Sequence, residues 1–336
     1  MFIQLYAPLY TSIIKTRFAE FNYIDLFAGS GLNKFEDSNI ILAGSPIIAL
    51  SFATKPFSKA FFIDLSQGKI TLLKNRISRL KELSKKMEYR EFIFSNIENT
   101  ITIYFSQDAN TKVKKIYEEI EKRHEELLDK IHRGCHNLVF IDPYGFEFKR
   151  RSLERILSSS VRNDLIIFFN SYGAGMQAYN VIHHNYSSRL LNDHLGSEWY
   201  NFIKQTAKRS NINEDKLSRN TLSHMLSSYY VGILKKHDYV VEVIRLPLKL
   251  EMQQFDLIFA CKRTRRGNPF LKGVRYIKNL LESTNYRLVD LLKEYIETGK
   301  LPGLLNYVIK DPEKALRRYG TARRYGIDRY LNQKSS

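Results

Sequence analysis

The chain has 336 residues, of which 43% are hydrophobic, and carries 53 Lys and Arg against 35 Asp and Glu, a formal charge of +18. That apolar content argues against disorder and fills the core of one large α/β domain with an insertion, or of two modest domains. The charge favours polyanionic partners, nucleic acid first, through counterion release, the plain alternative being a Lys-rich proteome. Its two cysteines, Cys135 and Cys261, make neither a disulfide framework nor a four-thiolate metal site and fit a reducing, cytoplasmic setting.

The N-terminus, Met1 to Tyr6, is apolar but has no basic leader or small-residue cleavage site, and no stretch approaches the ~20 apolar residues of a membrane span. Short β-rich runs then alternate with helical patterns. Phe21–Ala28 (FNYIDLFA) runs into Gly29-Ser30-Gly31, and Lys59–Leu65 (KAFFIDL) is a second run with an acid near its end. Arg90–Asn96 (REFIFSN) reads as the third strand, Asn137–Pro143 (NLVFIDP) as the fourth and Asp164–Asn170 (DLIIFFN) as the fifth. Their apolar positions are consecutive, as in strands buried on both faces, so the expected fold class is α/β with helices on both sides of a mostly parallel sheet.

Residues 171 to 238, rich in Tyr, His, Asn and Ser, are too long for a simple crossover and predict a helical insertion. Tyr239–Leu248 and Gln254–Cys261 resemble a closing β-hairpin that completes seven strands. Helical patterns follow over Val274–Glu282 and Arg287–Thr298, with a basic tail from Pro312. The organisation expected is a domain over residues 1–266 with its insertion at about 171–238, and a basic helical extension over 267–336.

Asp25, followed by Leu26, Phe27, Ala28, Gly29, Ser30 and Gly31, ends a strand in a Gly-x-Gly turn, where backbone N–H groups can approach a nucleotide cofactor. A dinucleotide fingerprint needs a third glycine where Lys34 stands, and no P-loop Gly-Lys-Ser/Thr occurs. Asp64, with Leu65 beside it, stands where a carboxylate can accept both ribose hydroxyls. It lies 33 positions after Gly31, against roughly 20 in that fingerprint. A loop over 33 to 44 would account for the excess, with Ser45 as N-cap and Pro46 as first residue of the next helix. Asn96 is a candidate for the adenine edge.

Asp142, Pro143, Tyr144 and Gly145 follow the fourth strand, which flanks the expected switch in strand order. The run is similar to the Asp/Asn-Pro-Pro-aromatic motif of aminomethyltransferases acting on bases, with Tyr144 in place of the second proline, and closer to the Asp-Pro-Phe-Gly of tRNA guanine dimethyltransferases. That likeness implies Asp142 and the Pro143 backbone as acceptors from a target amine and Tyr144 as a stacking ring. His132, Cys135 and His136 lack a fourth ligand, so no metal site is expected.

Lys262, Arg263, Arg265 and Arg266 are candidate phosphate contacts. In the tail, Arg317, Arg318 and Tyr319 recur imperfectly as Arg323, Arg324 and Tyr325, suited either to phosphates and bases or to a solvated helix.

Tyr23–Gly29, Gly44–Leu50, Phe62–Asp64, Phe140–Gly145 and Gln254–Gly267 together resemble the three-Cys-motif partner family (TcmP) over roughly residues 5 to 275. The resemblance implies a Rossmann-like methyltransferase fold, S-adenosylmethionine as cofactor, and a partner protein with three cysteines, of radical-SAM character. The reading that results is methyl transfer to a nucleic-acid base amine. Its alternative is a non-catalytic nucleic-acid-binding or partner-scaffold protein that keeps the fold.

Overall fold

A computed structural model describes residues 2–34, 41–84, 95–247, 254–264 and 269–283. Seven strands form one sheet: β1 (Glu20–Asp25), β4 (Lys59–Asp64), β5 (Ile101–Ser106), β6 (Cys135–Ile141), β7 (Arg162–Phe169), β8 (Tyr239–Pro247) and β9 (Gln254–Lys262). Their order is β5-β4-β1-β6-β7-β9-β8. All neighbours from β5 to β7 are parallel, whereas β9 runs antiparallel to β7 and β8 antiparallel to β9. This is the Rossmann-like methyltransferase arrangement, closed by the hairpin expected from the sequence. The inner parallel strands β1, β4, β6 and β7 are buried on both faces, and the layers of helix on each side explain why their apolar runs lack alternation.

On one face pack α1 (Phe2–Ile14), α2 (Ser45–Phe52), α3 (Gln67–Ser84) and α11 (Pro269–Ser283), with Tyr6, Tyr10, Ile77, Val274 and Ile277 in a core with Tyr23, Phe62 and Phe140. On the other lie α5 (Ala109–Ile131), α6 (Arg150–Leu157) and the segment between β7 and β8. That segment is helical: α7 (Ser171–His184), α8 (Arg189–Leu195), α9 (Trp199–Arg209), a 3-10 turn at Glu214–Lys216, and α10 (Arg219–Lys236). Local chemistry sets the ends, since Asp108, Asn170 and Ser218 each accept a hydrogen bond from the first turn of α5, α7 and α10.

Two polar seams cross the buried sheet. Asn22, Asn137 and Asn163 stand in register on β1, β6 and β7. Asn22 donates to Asn137 (3.0 Å), Asn137 to Asn163 (2.9 Å), and the Tyr117 hydroxyl of α5 also donates to Asn163 (2.9 Å). On the opposite face Tyr6 donates to Asp164 (2.6 Å), and Tyr10 bonds His136 Nδ1 (2.9 Å). Such paired groups avoid the penalty of unpaired burial.

Three expectations need correction. The strand that pairs with β4 is Ile101–Ser106, not 90–96; residues 90–94 lie outside the described residues, and Asn96 sits in a one-turn helix, α4 (Ser95–Glu98). The stretch before Gly44 is not simply a loop, because β2 (Leu32–Lys34) and β3 (Ile41–Ala43) pair antiparallel there. The N-cap of α2 is Gly44 and not Ser45, which is already helical. The expected helix over Val274–Glu282 is longer at both ends, as α11. That over Arg287–Thr298, and the tail from Pro312, lie outside the described residues.

Candidate functional site

Strands β1, β4, β5, β6 and β7 all end at the same edge of the sheet, and the order reverses between β1 and β6. Chain connections leave to opposite sides at that point and open a crevice beyond the strand ends. The loop after β1, the end of β4 and the loop after β6 meet there.

The loop after β1 is tied to both neighbouring strands. Leu26 N–H donates to the Phe140 carbonyl (3.1 Å) and Ala28 N–H to the Ile63 carbonyl (2.8 Å). Gly29 N–H donates to Asp64 Oδ2 (3.1 Å), while Asp64 Oδ1 accepts from Ser66 N–H (2.8 Å). Each carboxylate oxygen keeps a further lone pair for a hydroxyl. Gly29 and Gly31 have φ of 60° and 79°, in the left-handed region. A Cβ on Gly29 would meet no atom within 4 Å, whereas one on Gly31 would lie 2.6 Å from Leu73 Cδ1. Thus Gly29 faces open space and Gly31 faces the packed side of α3. From α3, Arg76 Nη1 donates to the Ser30 carbonyl (2.6 Å) and fixes the loop's outer turn.

Asp25 plays a different part from Asp64. It is fully buried, accepts from the Tyr23 hydroxyl (3.0 Å) and Phe27 N–H (3.3 Å), and takes a third bond from the Ser45 hydroxyl. Burial pushes its carboxyl up to about 7, against the pull of those donors, with the nearby Asp142 adding a small push upward. Asp25 therefore braces the loop from inside the protein.

After β6, Asp142 keeps an exposed surface, while desolvation of its carboxyl by the protein around it pushes it up to about 6. A carboxyl with a pKa near neutrality in a cleft has the character of a functional group. Pro143 is buried, Gly145 half-buried, and Tyr144 is 96% exposed. Leu65, just after β4, is 77% exposed, so it and Tyr144 both stand free on loops that leave the same edge of the sheet. Phe27 and Phe148 meet edge to face at 6.2 Å and link the two loops.

The structure thus brings together Asp25, Phe27, Ala28, Gly29, Ser30, Gly31, Asp64, Leu65, Asp142, Pro143, Tyr144 and Gly145. Asn96, by contrast, is on α4 and ends no strand; beside β4 the edge is instead closed by Gln107, whose N–H donates to the Asp64 carbonyl (3.1 Å). Lys262 and Arg263 lie at the opposite edge, because β9 runs antiparallel to β7. There the Lys262 ammonium donates to the His237 carbonyl (2.8 Å) and sits over the Tyr239 ring, and Arg263 faces Asp238 (3.4 Å). Arg265, Arg266, Arg317, Arg318, Tyr319, Arg323, Arg324 and Tyr325 lie outside the described residues.

His132, Cys135 and His136 do not converge. His132 caps α5, Cys135 packs into the core under α5, and His136 faces α1. Among the described residues no group of three or more His, Cys, Asp or Glu could hold a metal ion, and none of their helices is long and apolar enough to cross a membrane. Sequence reading missed Tyr23 and Arg76, and Ser45, singled out as a cap, turns its hydroxyl to Asp25 instead.

No family model matches the chain, and neither does any curated relative. Among solved structures it is similar to protein LPL1258 of Legionella pneumophila, at 10% identity and TM-score 0.37, over 77% of this chain and 84% of that one. It is also similar to Trm1 of Pyrococcus horikoshii in complex with S-adenosyl-L-methionine, at 13% identity and TM-score 0.36, over 79% of this chain and 56% of that one. Likeness at these scores does not fix the fold, which rests on the strand order and register given above.

Proposed function

We propose that the chain is an S-adenosylmethionine-dependent methyltransferase acting on nucleic acid, at a base amine. The observation that carries this reading is the convergence, at the switch in strand order, of an open Gly29, the Asp64 carboxylate and the desolvated Asp142. The space at Gly29 and the spare acceptor positions on Asp64 fit a nucleoside-type cofactor. Gly29 to Gly31 would line its amino-acid end, Asp64 its ribose hydroxyls, and Leu65 its adenine face. The cofactor supplies a methyl group on a cationic sulfur.

The chain's own work is to place the nucleophile in line with that methyl group. Asp142 accepts a hydrogen bond from the acceptor amine and orients its lone pair. The Pro143 carbonyl provides a second acceptor, and the free Tyr144 ring offers a surface on which a base stacks. The formal charge of +18 supports a polyanionic acceptor, drawn in by counterion release. The resemblance to the three-Cys-motif partner family adds a second protein with three cysteines as a candidate partner. In the same reading, residues 1–266 are the methyltransferase domain and 267–336 a basic extension that adds phosphate contacts.

Calorimetric titration with S-adenosylmethionine tests the reading. Saturable binding by the wild type, weakened about tenfold or more in Asp64→Ala by the loss of charge-assisted bonds, is expected. A wild-type chain that shows no binding where a control methyltransferase saturates refutes it.

A further inference from the structure

The loop after β6 has no regular structure between Asp142 and Lys149, yet Asp142 and Tyr144 need fixed positions if they are to meet an acceptor. Two side chains from outside the loop grip its backbone. Asn110, in the first turn of α5, donates through Nδ2 to the Glu147 carbonyl (2.8 Å), and its Oδ1 accepts from Lys149 N–H (2.8 Å) and the Ser152 hydroxyl (2.9 Å). From the other side, His194 Nδ1 bonds the Phe148 carbonyl at 2.6 Å. A carbonyl oxygen only accepts, so Nδ1 carries the proton.

His194 comes from α8, in the helical insertion, and is itself held firmly. Its ring stacks on Phe169 (5.8 Å, 6°), which ends β7, and on Tyr230 (5.8 Å, 19°) of α10, and meets Phe146 of the same loop edge to face (5.3 Å). It is 4% exposed, and its Nε2 has no hydrogen-bond partner. A buried imidazole leaves a ring nitrogen unpaired only at a cost in free energy, and packing alone would be served better by an apolar side chain. What the ring adds over a phenyl group is the one N–H directed at the loop. Phe148, whose carbonyl receives it, packs its own ring against Phe27 of the glycine loop.

We propose that His194 is a positioning residue, delivered by the helical insertion, which holds the 142–148 loop against the glycine loop through its Nδ1–H bond to the Phe148 carbonyl. It touches neither reacting group and acts through the backbone that carries Asp142 and Tyr144. The purpose given to that backbone rests on the methyl-transfer reading; the grip itself does not.

Hydrogen–deuterium exchange of the full chain, read on peptides spanning 142–149 and 135–141, tests the proposal. In His194→Ala the first peptide should exchange about tenfold faster, as the loss of one buried hydrogen bond requires, while β6 stays as protected as in the wild type. His194→Asn, whose Nδ2 can stand in for Nδ1–H, should restore most of the protection, which filling the hole without a donor, as in His194→Leu, should not. Equal exchange of the 142–149 peptide in wild type and His194→Ala overturns the proposal, as does rescue by Leu equal to that by Asn. If the alanine variant does not fold, the imidazole 15N spectrum of the wild type decides. The Nδ1–H tautomer at His194 is expected, and the Nε2–H tautomer overturns it. Titration of the wild type with S-adenosylmethionine, run alongside, separates the two readings: a loosened loop in the variant with no cofactor binding by the wild type upholds the grip and removes methyl transfer.

Discussion

Replacing Asp25 by Asn should change how stability depends on pH, because this carboxyl is buried without a cationic partner in the bonds it makes. Burial raises it from 3.8 to about 7, so between those values the folded chain binds a proton that the unfolded chain has released. Its contribution to stability is therefore fully present below 3.8 and lost as the pH rises through 7. At about 1.4 kcal/mol per pH unit the whole effect is on the order of 4 kcal/mol. Asp164, raised to about 7 by burial, acts in the same direction. His136 and His194, lowered by burial from 6.5 to about 3 and about 4, act in the opposite one, since stability is lost as acid charges them in the unfolded chain. Urea unfolding of both proteins at about pH 5 and about pH 8 isolates the effect, because groups common to both drop out of the difference. The variant should lose about 3 kcal/mol relative to the wild type on going from the higher pH to the lower. The lost bonds from Tyr23, Ser45 and Phe27 add an offset that does not vary with pH. A difference between the two proteins that is the same at both pH values would refute the reasoning.

Two further outcomes follow from the same crevice. Gly29→Ala and Gly31→Ala should separate in thermal unfolding: the first costs about 1 kcal/mol for its left-handed backbone, and the second about 2–4 kcal/mol, because its Cβ also meets Leu73. Equal costs would count against the loop geometry. Tyr144→Ala should leave stability within about 0.5 kcal/mol, as befits an exposed side chain, yet weaken single-stranded RNA or DNA by about 1–3 kcal/mol if its ring stacks on a base. Filter binding of labelled oligonucleotides checks this, and unchanged affinity for both would remove Tyr144 from the acceptor site.

The sheet was legible because burial on both faces leaves a mark in sequence. Phe21–Ala28, Lys59–Leu65, Asn137–Pro143 and Asp164–Asn170 each contain the observed strand or all but its first residues. The outer strand was not legible in the same way. Ile101–Ser106 is an edge strand with Ile101 60% exposed, and the neighbouring apolar run Phe92-Ile93-Phe94 upstream offered a competing strand that drew the assignment instead. The short pair Leu32–Lys34 and Ile41–Ala43 holds too few residues to show a period. Arg76 and Asn110 were beyond reach for another reason. Each acts on the backbone of a distant loop, and a surface arginine or a first-turn asparagine carries no sign of such a partner until the chain is folded. His194 shows this most plainly, because it lies in a polar stretch while its ring ends up between Phe169 and Tyr230.

The two acids singled out together in the sequence, Asp25 and Asp64, show where reading by motif stops. Both end a strand of the same sheet, and nothing in their neighbours distinguishes a ligand from a brace. Position along the strands distinguishes them, since Asp25 stands beside Phe62 within the sheet and Asp64 lies two residues further out on the same face. Asp25 falls on the face that carries Tyr23, where α2 covers it and Ser45 seals it, so its oxygens are consumed by the protein. Asp64 lies at the open edge between Gly29 N–H and Ser66 N–H, with lone pairs to spare. A substitution at Asp25 therefore acts on the loop through stability and through pH, whereas one at Asp64 acts on whatever the crevice holds. Loss of cofactor affinity in Asp64→Ala larger than its loss of stability explains, against a pH-dependent loss of stability in Asp25→Asn, is the pattern that a binding site braced from within requires.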